Sequence, residues 1–169
     1  MLSAVERKIE QFIADLNDKE VCGLFAQLPQ GKRLRAKLIL KIAGNSLSVV
    51  KTAAIVEMIH AASLLHDDVI DDAYTRRSKP SLNALYGNKT AIMLGDILYS
   101  KGFLELSNIG PDVAKVISNA VVQLSLGELL DVALSKTFNL DKKVYLEMIY
   151  QKTASLMEAS AGAAALGCS

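Results

Sequence analysis

The chain is 169 residues long and carries 19 basic against 18 acidic side chains, a formal net charge of +1. That balance gives no overall field to draw the protein to nucleic acid, so electrostatic specificity must come from local clusters. Apolar residues make up 51% and charged residues 22%, which excludes a disordered chain and gives a single domain, residues 1–169, enough material for a core.

Aromatics at 5% and only three prolines, against many Ala and Leu, favour helices. Period-two alternation is nowhere sustained, so the expected class is all-α with no strand. A stripe at Val5, Ile9, Phe12, Ile13 and Leu16 predicts a first helix, closed by a turn near Asn17-Asp18. A second helix spans Leu34 to Ala43 and stops at Gly44-Asn45. Ser48 is a candidate cap for a long third helix through Ile55, Ile59 and Leu64 into Asp67. Thr75 to Pro80 reads as a polar loop, and Asn88 and Thr90 open a helix that ends near Ser107. Asn108, Gly110 and Pro111 break the chain before a helix from Asp112 to about Ser135, and a last helix begins at Asp141. Its end, Ala159 to Leu166, is small and apolar, which implies a close neighbour: a partner chain or a continuation of the polypeptide.

No uncharged apolar run reaches the ~18 residues of a membrane span, so no transmembrane segment is expected. The first residues, Met1 to Lys8, lack the apolar core of a signal peptide. Cys22 and Cys168 match no metal-ligand spacing and read as reduced thiols of a cytoplasmic protein.

The run His66-Asp67-Asp68-Val69-Ile70-Asp71-Asp72 breaks two local rules. Asp67 and Asp71 share a helix face, where like charges cost about 0.2–0.5 kcal/mol. They also crowd the negative end of the helix dipole, a penalty of about 0.3–1 kcal/mol. A hard divalent cation would offset both, and Mg²⁺ characteristically takes one or two carboxylates plus substrate phosphates. Taken alone, the run also fits a solvated helix end. Glu57-x-x-His60 has the form of half a di-iron carboxylate site, but Ser63 stands where the second Glu before His66 would be.

Two basic clusters flank the acidic run. Gly31-Lys32-Arg33-Leu34-Arg35 stands at a helix start, where free N–H groups favour anions, and Lys32 and Arg35 can converge on one of them. Arg76-Arg77-Ser78-Lys79 follows the acidic turn, and Lys152-Thr153 lies on the last helix. Each also fits a solvated surface. Together they make a diphosphate-handling inventory in which carboxylates, metal and cations are expected to share one hollow. No Walker-type loop or Ser–His–Asp set is present.

Glu57 to Asp72 with Arg76-Arg77 resembles the first aspartate-rich region of trans-polyprenyl diphosphate synthases, and Gly31 to Arg35 resembles their upstream basic motif. Leu94-Gly95-Asp96, Gly127-Glu128 and Lys152-Thr153-Ala154 fall in the family's order. The resemblance spans nearly the whole chain and is to medium- and long-chain, octaprenyl-type members. It implies an antiparallel helical bundle of the isoprenoid synthase type, of which this chain is about the first half.

The resemblance also implies roles. Asp67 and Asp71 would ligate Mg²⁺, with Asp68 supporting catalysis. Lys32, Arg35, His60 and Arg77 would hold isopentenyl diphosphate, and Arg76, Lys152 and Thr153 the allylic diphosphate. The reaction would be head-to-tail condensation of the two, in a chain that pairs as a homodimer at full length. Ala62 and Ser63 stand where short-chain members carry large aromatics, which implies a medium or long polyprenyl product. The sequence departs from the family at Gln30 and Ala36, where Gly and Pro are usual. The family's second aspartate-rich motif has no counterpart after Lys152, which implies an amino-terminal part that does not turn over alone. The alternative is a non-catalytic regulatory or scaffold subunit docking through its Ala-rich helix, and a terpene cyclase ranks below both.

Overall fold

The computed structural model describes residues 1–167, so Cys168 lies outside the described residues. Helix α1 (Leu2–Ala14) buries Val5, Ile9, Phe12 and Ile13, the stripe expected from sequence. The turn after it leads into a helix the periodicity does not reveal, α2 (Lys19–Ala26). Val21 is its one buried residue, so it has almost no apolar stripe to read. Its cap is strong: the Asp18 carboxylate accepts the Glu20 and Val21 N–H groups at 2.9 and 3.0 Å, worth about 1 kcal/mol.

Helix α3 (Leu34–Ala43) stops at Gly44, whose φ of 80° suits a residue without Cβ. Helix α4 (Leu47–Ile70) is capped by Ser46, whose hydroxyl accepts the Val49 N–H, rather than by Ser48. It is buried on nearly every side from Val49 to Ile59, as a helix apolar all round must be. Each fully buried Ile or Met in it (Ile55, Met58, Ile59) contributes about 1.5–3 kcal/mol. It packs most extensively on α6, then on α3 and α1.

After the acidic turn the chain forms a short antiparallel hairpin, β1 (Thr75–Arg76) with β2 (Lys79–Pro80), where the sequence suggested only a loop. Its two turn residues, Arg77 and Ser78, both have positive φ, 53° and 61°. That is the hairpin geometry which Asn-Gly normally announces, and its absence hides the hairpin. Helices α5 (Leu82–Tyr86), α6 (Asn88–Leu106) and α7 (Pro111–Leu134) follow. Pro111 starts α7, where its missing N–H costs nothing.

The last helical region is not continuous. Helix α8 (Lys142–Ile149) widens into a π-helical turn, Tyr150–Ala154, before α9 (Ser155–Leu166). In α9, Ala159, Ala163 and Ala164 are buried, and the helix packs on α7 and α3 of the same chain. One close neighbour implied by the small residues is therefore internal, while Ala165 and Leu166 remain exposed. By length and composition α4 and α7 would each suffice to cross a membrane, although 61% of the α4 window is buried inside the bundle. Cys22 is a free, half-buried thiol.

Candidate functional site

The basic loop is folded onto α4 by one buried carboxylate. Glu57 Oε1 accepts the Ala36 N–H at 2.9 Å, and Oε2 lies 3.5 Å from Arg33 Nη1. Arg33 also holds Glu6 of α1 through Nε at 2.7 Å and Nη2 at 3.0 Å. Its φ of 51° is left-handed, a conformation that costs a side-chain-bearing residue on the order of 1–3 kcal/mol unless its surroundings impose it. Here two carboxylates impose it. The turn throws Lys32 and Arg35 to one side.

On that side is a hollow of about 190 Å³ lined by Lys32, Arg35, Glu57, His60 and Arg77. Residues from three separate segments meet there, as the family resemblance implies for four of the five. The Arg35 Nε–H is buried with no hydrogen-bond partner. Burial also pulls the Arg35 pKa below its usual value, partly opposed by Glu57. Arg77 reaches in by donating from Nη1 to the Pro29 carbonyl at 3.2 Å. Gly31 permits this approach, since a Cβ there would stand 3.0 Å from that nitrogen. His60 is pushed down to about 3, first by burial and then by the charges of Arg35, Arg77, Arg76 and Arg33. Its imidazole is therefore neutral at pH 7 in a hollow built of cations.

Asp67 lies elsewhere. It lines a second cavity of about 410 Å³ with Ser63, His66, Tyr99, Glu128 and Lys152, walled by Ile70, Leu124, Leu129 and Val132. Residues 57, 60, 61 and 64 of α4 line the basic hollow, whereas 63, 66, 67 and 70 line the acidic cavity. The single hollow expected from sequence is thus two hollows on adjacent faces of one helix. Arg76 acts on both: its charge bears on His60 and on Asp67.

Burial and then Glu128 push the Asp67 carboxyl up to about 7, with Asp71 adding to them and Lys152 and Arg76 opposing. Negative charge is in local surplus there. Glu128 Oε1 is buried without a partner, while Oε2 lies 2.9 Å from Lys152 Nζ. Asp131 Oδ2 takes the same ammonium at 2.6 Å. Burial works against the Lys152 charge, but the two carboxylates outweigh it and hold its pKa above the ordinary lysine range. The π turn brings Lys152 against α7, and Gly127 makes the approach possible: a Cβ there would lie 2.5 Å from the Lys152 backbone nitrogen. Thr153, next to it, is exposed and does not line the cavity.

Three further expected residues separate. Asp71 is exposed at the end of α4. Asp68 is buried and faces neither hollow; it grips Arg76. Ser63 lines the acidic cavity, but Ala62 is fully buried in the core and does not. Among the described residues no three His, Cys, Asp or Glu side chains converge as a self-sufficient metal cage.

Sequence reasoning missed Glu57 as the organiser of the basic loop, although a lone carboxylate in an apolar helix signals a buried partner. It also missed His66, whose Nε2 lies 3.2 Å from the Ile92 carbonyl oxygen and 3.3 Å from Asp96 Oδ1. Gly95 leaves room for that ring, and Tyr99 tilts against it at 5.6 Å. Burial, with Asp67, Asp96 and Glu128, pushes the Tyr99 hydroxyl up to about 12.

A polyprenyl synthetase family model matches residues 20–169. The chain is 42% identical over 143 residues to a decaprenyl-diphosphate synthase of Dictyostelium discoideum, covering 81% of this chain and 31% of that protein. It is 34% identical over 160 residues to octaprenyl diphosphate synthase of Escherichia coli, covering 90% of this chain and 49% of the relative. The crystal structure of octaprenyl pyrophosphate synthase from Helicobacter pylori superposes with a TM-score of 0.94 at 43% identity, over 98% of this chain and 56% of that one. A polyprenyl synthase from Caulobacter crescentus, crystallised with calcium and isoprenyl diphosphate, gives 0.90 at 31% identity, over 99% and 53%. The chain thus spans about half the length of these solved structures and half or less of the two curated relatives. The all-α bundle is the isoprenoid synthase fold, and with the matched residues it establishes that this chain belongs to the polyprenyl synthetase family.

Proposed function

We propose that this chain is the part of a trans-polyprenyl diphosphate synthase that grips the diphosphates of both substrates. One observation carries this reading. Lys32, Arg35, His60 and Arg77, drawn from three segments, line one hollow, one helix face away from an acidic cavity. An anion is the ligand that complements these cations. Isopentenyl diphosphate is assigned to the basic hollow, and the allylic diphosphate to the mouth of the acidic cavity near Lys152 and Arg76.

The acidic side fits a divalent metal. Asp67 and Glu128 line one cavity, where burial and then the Glu128 charge raise the Asp67 pKa against Lys152 and Arg76. The donors are hard oxygens, too few to cage an ion unaided, which suits Mg²⁺ shared with phosphate and water. Asp67 and Asp71 would hold it, and it would neutralise charge on the departing diphosphate.

The residues of the chain do the rest. Lys152 and Arg76 stabilise the oxyanions as the bond between allylic carbon and diphosphate oxygen breaks. Leu124, Leu129 and Val132 keep water from the carbon that becomes electron-deficient. Lys32, Arg35 and Arg77 hold isopentenyl diphosphate so that its double bond attacks that carbon, and the proton lost goes to the released diphosphate. Ser63, which stands where short-chain members carry a large aromatic, lines this cavity and favours a medium or long product. On the same reading the enzyme works in the cytoplasm as a homodimer at the relatives' full length, and these 169 residues bind without turning over.

Calorimetry with inorganic pyrophosphate tests the assignment. In EDTA one site is expected, lost in Arg35→Ala and kept in Asp67→Asn. With Mg²⁺ a second site is expected, lost in Asp67→Asn. Metal-free binding that survives Arg35→Ala would overturn it.

A further inference from the structure

We propose that Glu57 is a positioning residue, the strut that turns the basic loop into an anion receptor. The proposal rests on the reading of the basic hollow as a diphosphate site. Glu57 is 3% exposed and sits in the otherwise apolar stretch Val56–Ile59 of α4. A carboxylate so placed must be satisfied on both oxygens, or it loses several kcal/mol of solvation without return. One oxygen takes the Ala36 N–H at the start of α3, and the other lies 3.5 Å from the Arg33 guanidinium.

Those two bonds fix opposite sides of the loop. The first sets the depth of the α3 N-terminus against α4. The second, with Glu6, holds Arg33 in its left-handed conformation. Between the two anchors Leu34 and Arg35 have no freedom left, and Lys32 adjoins the Arg33 anchor, so that Lys32 and Arg35 both line the hollow. Arg33 is consumed as a brace, whereas Lys32 and Arg35 are left lining the hollow for a ligand. Glu57 therefore aids anion binding although it bears the charge that repels anions.

This opposition of sign gives the test. On charge alone, Glu57→Gln should tighten pyrophosphate binding by the 169-residue chain. If Glu57 positions the loop, the same variant binds more weakly, by about tenfold or more, because misplacement of a binding group by an ångström costs that much. Calorimetry in EDTA is paired with the NMR signal of the Arg35 Nε–H, which should shift on adding pyrophosphate to the wild type. In Glu57→Gln, at unchanged circular dichroism, it should not. Equal or tighter binding by Glu57→Gln overturns the proposal. If that variant fails to fold, Glu6→Gln decides at a half-exposed position: a drop in affinity supports the brace, and unchanged affinity overturns it. A wild type that does not bind pyrophosphate overturns the diphosphate reading itself, and the proposal with it, a failure distinct from one confined to the variants.

Discussion

Arg76 Nε donates to both oxygens of Asp68, at 2.8 and 2.7 Å, while Nη2 lies 2.6 Å from Oδ1. The central Asp of the acidic run thus holds the hairpin rather than facing a substrate. The Asp68 carbonyl also accepts from Asn83 Nδ2, which ties the hairpin and α5 to the end of α4. Asp68→Asn removes the charge and half of the grip. A loss of about 1.5–3 kcal/mol in urea unfolding is expected, the usual worth of a hydrogen bond to a charged group. Because Arg76 would swing free, metal-dependent pyrophosphate binding should weaken as well, which the same preparation can report by calorimetry.

Gly127→Ala would normally gain about 1 kcal/mol in a helix. Here the added methyl meets the Lys152 backbone nitrogen and Gln151 carbonyl carbon at 2.5 and 2.8 Å, and backbone cannot step aside as a flexible side chain can. The clash should win, with a net loss of about 1–3 kcal/mol in thermal or denaturant unfolding. A stabilised variant would show that α7 and the π turn are not in close contact.

His60 supplies a pH dependence of defined sign. Its pKa falls from 6.5 to about 3 on folding, through burial first and the surrounding arginines second. The folded state then binds fewer protons than the unfolded state between those values, so stability rises with pH across that window. This contribution is complete above pH 6.5 and is lost progressively as the pH falls toward 3. His60→Gln should lose less stability than the wild type between pH 7 and 4.5, measured by melting temperature. An identical pH profile in the two proteins would contradict a neutral, half-buried imidazole.

Ala62 and Ser63 should respond differently to an aromatic. Ser63 lines the cavity, so Ser63→Phe fills it at little cost in stability. Within an active synthase it should shorten the product. Ala62 is fully buried, so Ala62→Phe overpacks the core and should cost about 1–3 kcal/mol or more. Thermal melts of the two variants separate the cases.

Helices with an apolar stripe or an unmistakable stop were legible in the sequence: α1 through Val5, Ile9, Phe12 and Ile13, and α3 through Gly44. Helices α2 and α5 were not, because each buries one residue and is held by a cap, Asp18 or Ser81, rather than by periodicity. The hairpin stayed hidden because Arg77 and Ser78 adopt positive φ without Gly or Asn. Of the basic hollow, Lys32 and Arg35 were recognisable as cations three apart at a helix start, whereas His60 and Arg77 were implied by the family resemblance. Their division from Asp67 was not, since His60 and Asp67 are seven residues apart and fall on nearly the same helical face. Only the packing of α7 and the π turn on one side, and of the 29–35 segment with Arg77 on the other, decides which hollow each one meets. Glu57 and Glu128 were visible as residues, but their partners lie in distant segments.

The wide turn at Tyr150–Ala154 has a consequence for insertions and deletions. A π turn holds one residue more than the α-helical turn it replaces, and each α-helical residue advances the face by about 100°. Losing any one of its uncharged residues would let α8 and α9 fuse into a straight rod. The Lys152 ammonium would then rotate away from Glu128 and Asp131, while every charged side chain remained in the chain. Alignment gaps and frame-preserving deletions there are therefore as consequential as replacing the lysine itself.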